Sequence, residues 1–242
     1  GNNWPEIEQT LRSLKNRIRH MEAWDEYDGL HTRLGGPVPD FEMPEHFTRK
    51  QTRSMGRVSK MATAATENAL RDAGLLNDPV LKSGRAGVSY GSSSGSTDAI
   101  ADFANMLMSK SLDGITATTY IRMMGHTAPV NVGVYFGLTG RIYTTSVACA
   151  SGSQGIGYAY EAIKSGQQDI MLAGGGEELC PTQAAVFDTF YATSTRNDAP
   201  EITPRPFDRD RDGLVIGEGA CTLVLERRDH ALARGAKVYA EI

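Results

Sequence analysis

A chain of 242 residues, 40% hydrophobic and 22% charged, can bury a sizeable core as one large domain and has the balance of an ordinary soluble globular protein. Its net charge of −4 argues against general nucleic-acid binding, no apolar run reaches the length of a membrane span, and no signal peptide is visible. Three cysteines without paired spacing argue against a disulfide framework, and His20, His31, His46, His126 and His230 are scattered, none in a metal-ligand pair with a cysteine or carboxylate.

In chain order, Asn3 reads as the N-cap of a first helix with Pro5 at its first position, and Ile7, Leu11, Leu14, Ile18 and Met21 form one apolar stripe. Residues 27–45 read as a loop punctuated by Gly and Pro. A second helix is expected over 55–73, stopped by Gly74 as a C′ glycine. Residues 85–90 read as a strand, 97–109 as a helix and 118–136 as one or two apolar helical stretches. A β-prone run at 142–147 leads to Cys149, and a helix follows with Ile156, Ala159, Tyr160 and Ile163 on one face, ending at Gly166. A buried strand is expected at 169–173, a long irregular stretch at 179–213, a strand at 220–226, a helix at 228–234 and a last strand at 238–242. This alternation indicates a layered α/β fold.

Cys149 is the residue with the clearest chemistry. Strand, tight turn and helix set its thiol at the positive end of a helix dipole, the setting of nucleophilic cysteines. The small residues around it leave room for a substrate at the sulfur. Most lone cysteines are buried and structural, a description that suits Cys180, in a loop, and Cys221, in a strand-like run. A rival motif is Gly91-Ser92-Ser93-Ser94-Gly95, which fits the G-x-S-x-G elbow of α/β-hydrolases; Ser93 would be the nucleophile of a serine hydrolase, with His126 or His230 and a downstream acid. No HGGG-type oxyanion motif accompanies it. Gly174-Gly175-Gly176 lacks nucleotide-binding spacing and is explained by close backbone packing. Arg49, Lys50, Arg53, Arg57 and Lys60 fall in twelve residues without an acid: either a solvated face or a patch that steers an acidic partner.

The run Gly140-x4-Thr145-x2-Ala148-Cys149-Ala150-Ser151-Gly152 resembles the active-site signature of β-ketoacyl-[acyl carrier protein] synthases, the condensing enzymes of fatty-acid and polyketide synthesis. The likeness is nearest to the type I and II bacterial elongating enzymes. It continues through residues 169–178, 194–198, 206–208, 211–213, 217–219, 223–226 and 231–236, nearly the whole chain.

The resemblance implies a thiolase-like layered αβαβα fold built of two similar halves. Residues 1–242 are then expected to form about the N-terminal half, with the first strand and the C-terminal half absent, and to be inactive alone. It implies decarboxylative Claisen condensation of an acyl thioester, held on Cys149, with malonyl-acyl carrier protein, in a fatty-acid, polyene or polyketide pathway. Cys149 would be nucleophile and, through its own N–H, one oxyanion donor; two histidines and a lysine would come from the other half. No metal and no cofactor is implied, since phosphopantetheine is carried by the acyl carrier protein. Lys50 and Arg53 match carrier-docking positions, and Arg49 and Arg57 are their neighbours. Ser94 matches the floor of the acyl tunnel, Phe187 another pocket position, and Met123 and Met124 a segment reaching the partner subunit's pocket; core packing would suit Phe and Met equally well. The partner subunit would be a second copy or a chain-length-factor-like paralogue, in the cytoplasm, where a reactive thiol survives. Chain-length factors, which lack the cysteine, are the non-catalytic alternative.

Overall fold

A computed structural model describes residues 3–242. In chain order its elements are α1 (Trp4–Arg12), β1 (Arg19–His20), β2 (Leu34–Gly36), α2 (Arg49–Thr52), α3 (Arg57–Asp72), β3 (Ala86–Gly91), α4 (Thr97–Ser109), α5 (Ala117–Met123) and α6 (Thr127–Phe136). There follow β4 (Ile142–Thr145), α7 (Ser151–Lys164), β5 (Ile170–Glu177), α8 (Pro181–Asp188), β6 (Ile216–Gly217), β7 (Gly219–Glu226) and α9 (Arg228–Ala233). They fall into two units, one of Asp40–Glu178 with Gly219–Ile242 and one of the segment up to Pro39 with Leu179–Glu218.

The first unit is built on a four-stranded sheet of order β4-β3-β5-β7, parallel except for β7. Successive side chains of a strand point to opposite faces, and both faces here are covered. Val88, Tyr90, Ile170 and Leu172 point to one side and pack with Ala62 and Leu70 of α3 and with Val132 and Phe136 of α6. Met171 and Ala173 point to the other and meet Ala159 and Ala162 of α7. Double coverage explains why β5 reads as a continuous apolar run rather than an alternating one. Tyr90 is fully buried because its hydroxyl finds partners, donating to the Cys221 carbonyl (3.1 Å) and accepting from Thr222 (3.2 Å).

Helix α3 stops where the sequence says it should. Gly74 takes φ +68°, the Leu75 amide donates to the Leu70 carbonyl (2.8 Å) and the Gly74 amide to that of Arg71 (3.1 Å), a complete Schellman cap. The triple glycine of β5 is required by close packing, as the sequence implied. A Cβ on Gly174 would lie 2.0 Å from the Cys221 carbonyl oxygen, and one on Gly175 3.0 Å from Gly152 Cα.

Five expectations need correction. The 27–45 segment is not all loop: Leu34–Gly36 forms β2, paired with β1 and β6. Helix α1 is capped by Asn3, whose side chain accepts from the Glu6 amide (3.0 Å), but it ends at Arg12. Leu14 turns to φ +53°, so Ile18 and Met21 never join the helical stripe, and Trp4 and Leu11 are exposed. Within the stretch expected to be irregular, Pro181 starts α8 and supplies the preset φ of a first helical turn. Residues 238–242 form no strand: Val238, Tyr239 and Ile242 are exposed, and β-propensity without a neighbouring strand does not make one. Cys221 is exposed rather than buried, because β7 is an edge strand and alternate side chains face outward. Among the described residues no helix is long and apolar enough to cross a membrane.

In the second unit β2 pairs antiparallel with β1 and parallel with β6, over a small core of Trp24, Leu30 and Ala184. Asp188, at the end of α8, is buried and ties this unit together. Burial pushes its carboxyl pKa up, but the His31 amide (2.8 Å), the Thr193 hydroxyl (2.7 Å), His31 Nδ1 (2.9 Å) and the Thr32 amide (3.0 Å) outweigh that and bring it down to about 2. The folded value lies below the ordinary aspartate value of about 4, so this carboxylate stabilises fully above about pH 4 and loses its contribution as pH falls through its folded value. Asp188→Asn is therefore expected to cost about 2 kcal/mol at neutral pH. In urea titrations over a pH series the gap to the unaltered protein should close at strongly acidic pH. A gap that stays constant with pH would mean that shape, not charge, is lost.

Candidate active site

Strand β4 ends at Thr145, α7 begins at Ser151, and the five residues between them make an elbow that presents Cys149 to solvent. Ala148 sits at φ +50°, a region that non-glycine residues adopt only under constraint. The Ala150 and Ser151 amides are occupied by the Val147 and Ala148 carbonyls (3.2 and 3.0 Å), and Cys149 stands just before the first turn of the helix. Ser151 is buried beneath it. Its hydroxyl donates to the Ala148 carbonyl (2.7 Å) and accepts from the Val147 amide (2.8 Å), while its own carbonyl accepts from Thr145 Oγ1 (2.8 Å).

The small residues after Cys149 have a different first purpose from substrate access. Ser151, Gly155, Ala159 and Ala162 are the buried stripe of α7, and they let the helix lie close to the sheet. A Cβ on Gly155 would stand 3.0 Å from the Ser89 carbonyl and 3.1 Å from that of Gly174, and one on Gly91 2.5 Å from the Ser151 backbone.

The 91–95 loop follows β3 and lies alongside the elbow: Ser146 Oγ donates to the Ser93 carbonyl at 3.4 Å. Two adjacent carboxylates at the end of β5 pin this loop, a role not legible in the motif. Glu177 accepts from the Ser92 hydroxyl (3.1 Å) and the Ser93 amide (2.7 Å). Buried Glu178 accepts from the Val58 amide (3.2 Å), the Ser96 hydroxyl (2.7 Å) and the Thr97 amide and hydroxyl (2.7 and 3.0 Å). One carboxylate thus caps the N-termini of α3 and α4 together, where it satisfies orphan amides and opposes two positive dipole ends.

Half-buried Ser94 belongs to this pinned loop. Gly95, at φ +69°, is crowded against the end of α5: a Cβ there would meet the Met123 and Met124 carbonyls at 2.5 and 2.7 Å. The loop that carries Ser94 thus packs, through Gly95, against the backbone at Met123 and Met124. Phe187 lies half-buried on α8, in the second unit.

The hydrolase geometry is not assembled. The left-handed elbow residue precedes Cys149, and Ser93 is absent from the left-handed region. His20, His31, His46 and His230 engage Asp25, Asp188, Glu67 and Glu226, and His126 faces Tyr120; among the described residues no histidine bonds Ser93. Nor do the described residues contain a cluster of three or more metal-binding side chains.

Arg49, Lys50 and Arg53 lie on and just after α2, exposed, and no carboxylate pairs with them among the described residues. Arg57 opens α3 with its guanidinium 5.8 Å from the Phe41 ring centroid. Together with Lys60 and Arg122 it lines an open groove of about 460 Å3 whose apolar wall includes Phe41 and Met43. The basic run is thus a surface feature in which Arg49, Lys50 and Arg53 have no carboxylate partner among the described residues.

Residues 1–231 match the family described as β-ketoacyl synthase, N-terminal domain. The chain is 34% identical over its whole length to 3-oxoacyl-[acyl-carrier-protein] synthase 2 of Synechocystis sp. and spans 58% of that relative. Its fold is similar to the crystal structure of a β-ketoacyl synthase from Burkholderia phymatum STM815, with a TM-score of 0.97 and 57% identity, covering 99% of this chain and 59% of the other. It is also similar to the ishigamide ketosynthase/chain length factor, with a TM-score of 0.84 and 30% identity, covering 100% of this chain and 59% of that one. The chain thus spans about three-fifths of the length of these relatives.

Proposed function

The chain belongs to the β-ketoacyl synthase family, and from that premise we propose that it supplies the nucleophile for elongating condensation of acyl thioesters carried by an acyl carrier protein. The observation that carries the reading is the elbow: an exposed cysteine follows a residue held at φ +50° and precedes the first turn of α7. The Cys149 sulfur attacks the carbonyl carbon of the acyl thioester. The bond to the carrier's thiol breaks, and that thiol leaves with the proton. Malonyl-carrier protein then loses CO2, its new carbanion attacks the acyl group on Cys149, and the cysteine departs as the β-ketoacyl product forms on the carrier. The Cys149 N–H serves as one oxyanion donor. Phosphopantetheine enters only as the carrier's arm, on the substrate side.

The test is to incubate the protein with acyl-carrier protein and locate the adduct by peptide mass. It should lie on Cys149, not on Cys180 or on Cys221, the other exposed thiol. An adduct on Ser93 would revive the hydrolase reading.

The carrier is proposed to dock on Arg49, Lys50, Arg53 and Arg57. The support is four cations in nine residues, three of them exposed and without a carboxylate partner among the described residues. Reversing Lys50 and Arg53 to glutamate should raise KM for acyl-carrier protein by about tenfold, flatten its salt dependence and leave a small acyl-thioester mimic unaffected. Equal loss with both substrates would mean that the patch serves folding or chemistry instead. The protein is proposed to work in the cytoplasm as a dimer, with a second copy or with a chain-length-factor-like paralogue. The presence of Cys149 supports the catalytic role in either pair.

A further inference from the structure

We infer that Ser151 is a positioning residue for Cys149: its hydroxyl clasps the turn that aims the sulfur. This rests on the proposal that Cys149 accepts the acyl group and deepens it. Ala148 lies in the left-handed region at φ +50°, where an L side chain is disfavoured. What holds it there is a ring of part-buried contacts made by one residue, Ser151, which is itself buried. Ser151 Oγ donates to the Ala148 carbonyl (2.7 Å) and accepts from the Val147 amide (2.8 Å), and the Ser151 amide donates to the same Ala148 carbonyl (3.0 Å).

Ser151 is itself fixed to the sheet. Thr145 Oγ1, at the end of β4, donates to its carbonyl (2.8 Å). Gly91, at the end of β3, touches its backbone so closely that a Cβ on Gly91 would lie 2.5 Å away. The clasp therefore refers the Cys149 backbone to the ends of two strands. Nothing places the Ser151 side chain at the sulfur or at a substrate; it acts through residues 147–149.

The purified protein carrying Cys221→Ser, which removes the other exposed thiol, allows a direct test. Acylation of Cys149 by a small acyl thioester is followed by mass over a range of donor concentrations, and carbamidomethylation by iodoacetamide is timed in parallel. Ser151→Ala should slow maximal acylation about ten- to a hundredfold while the half-saturating donor concentration changes by less than about threefold. Adding Ala148→Gly to Ser151→Ala should restore much of the rate, because glycine adopts the left-handed conformation without a clasp. A residue that merely fills space would not be rescued in that way.

Thr145→Val, which removes only the support beneath Ser151, should slow acylation by about threefold, whereas Thr145→Ser should not. A folded Ser151→Ala protein that acylates at the native rate, or one that Ala148→Gly does not rescue, overturns the inference. If Ser151→Ala does not fold, native-rate acylation by Thr145→Val overturns it. Failure of the underlying reading looks different: an acyl adduct that persists in Cys149→Ala removes the nucleophile, whatever Ser151 does.

Discussion

Cys149→Ala is expected to abolish formation of the acyl-enzyme and with it condensation, a loss of at least about 10³-fold. The reason is chemical rather than structural. The elbow's shape is set by Ala148, Ser151 and Thr145, none of which bonds the Cys149 side chain, so the methyl of alanine should leave the fold intact. What disappears is the one sulfur in a position to attack. Cys180 is buried and engaged with Thr182 at 2.8 Å, and Cys221 lies within strand β7 rather than at the turn that opens a helix. Cys221→Ser is accordingly expected to acylate normally. The measurement is the protein mass after incubation with acyl-carrier protein. An adduct of undiminished yield on Cys149→Ala would end the assignment.

Much of the fold was legible because local signals agreed with tertiary ones. Helix α4 occupies 97–109 as its pattern says, and α3 stops at a glycine that does adopt positive φ. Where the reading failed, it had relied on one level alone. The stripe Ile7-Leu11-Leu14-Ile18 has helical spacing, but α1 buries none of its residues, and a helix of nine residues without a packed face has little to extend it past Arg12. Residues 238–242 have strand-forming side chains and no strand beside them. Helix α8 was hidden because it is short and lacks a clean apolar periodicity.

The site was legible in its nucleophile and not in its supports. Cys149 stood out because strand, small residues and helix converge on it. The helix face was read from Ile156, Ala159, Tyr160 and Ile163; Ala159 is buried and Ile156 and Ile163 pack beside it, but Ser151, Gly155 and Ala162, the rest of the buried stripe, were not read. Hydrophobic periodicity is blind to a face chosen for closeness rather than bulk. Glu177 and Glu178 likewise fell within the resemblance at 169–178 but carried no assigned role. Their partners at 92–97 and at 58 are more than eighty residues away along the chain, and no local pattern announces such contacts.

Those two carboxylates sharpen what Ser94→Phe should do. Ser94 lies between Ser93, whose amide is held by Glu177, and Ser96, whose hydroxyl is held by Glu178, with Gly95 jammed against the Met123 and Met124 carbonyls. The loop is anchored on both sides, so a bulky side chain at its centre cannot be relieved by a backbone shift. If Ser94 closes the far end of the acyl tunnel, the ring must take up space that the last carbons of a long chain would occupy. Each excluded methylene forfeits about 0.8 kcal/mol, so two or three of them should turn the preference toward short acyl donors by roughly ten- to sixtyfold. Comparing kcat/KM over a series of acyl-carrier substrates of increasing length, for the unaltered protein and a folded Ser94→Phe variant, reads this directly. Short donors should react nearly as before and long ones should be rejected. Parallel profiles would show that the loop between the two glutamates does not reach the acyl chain.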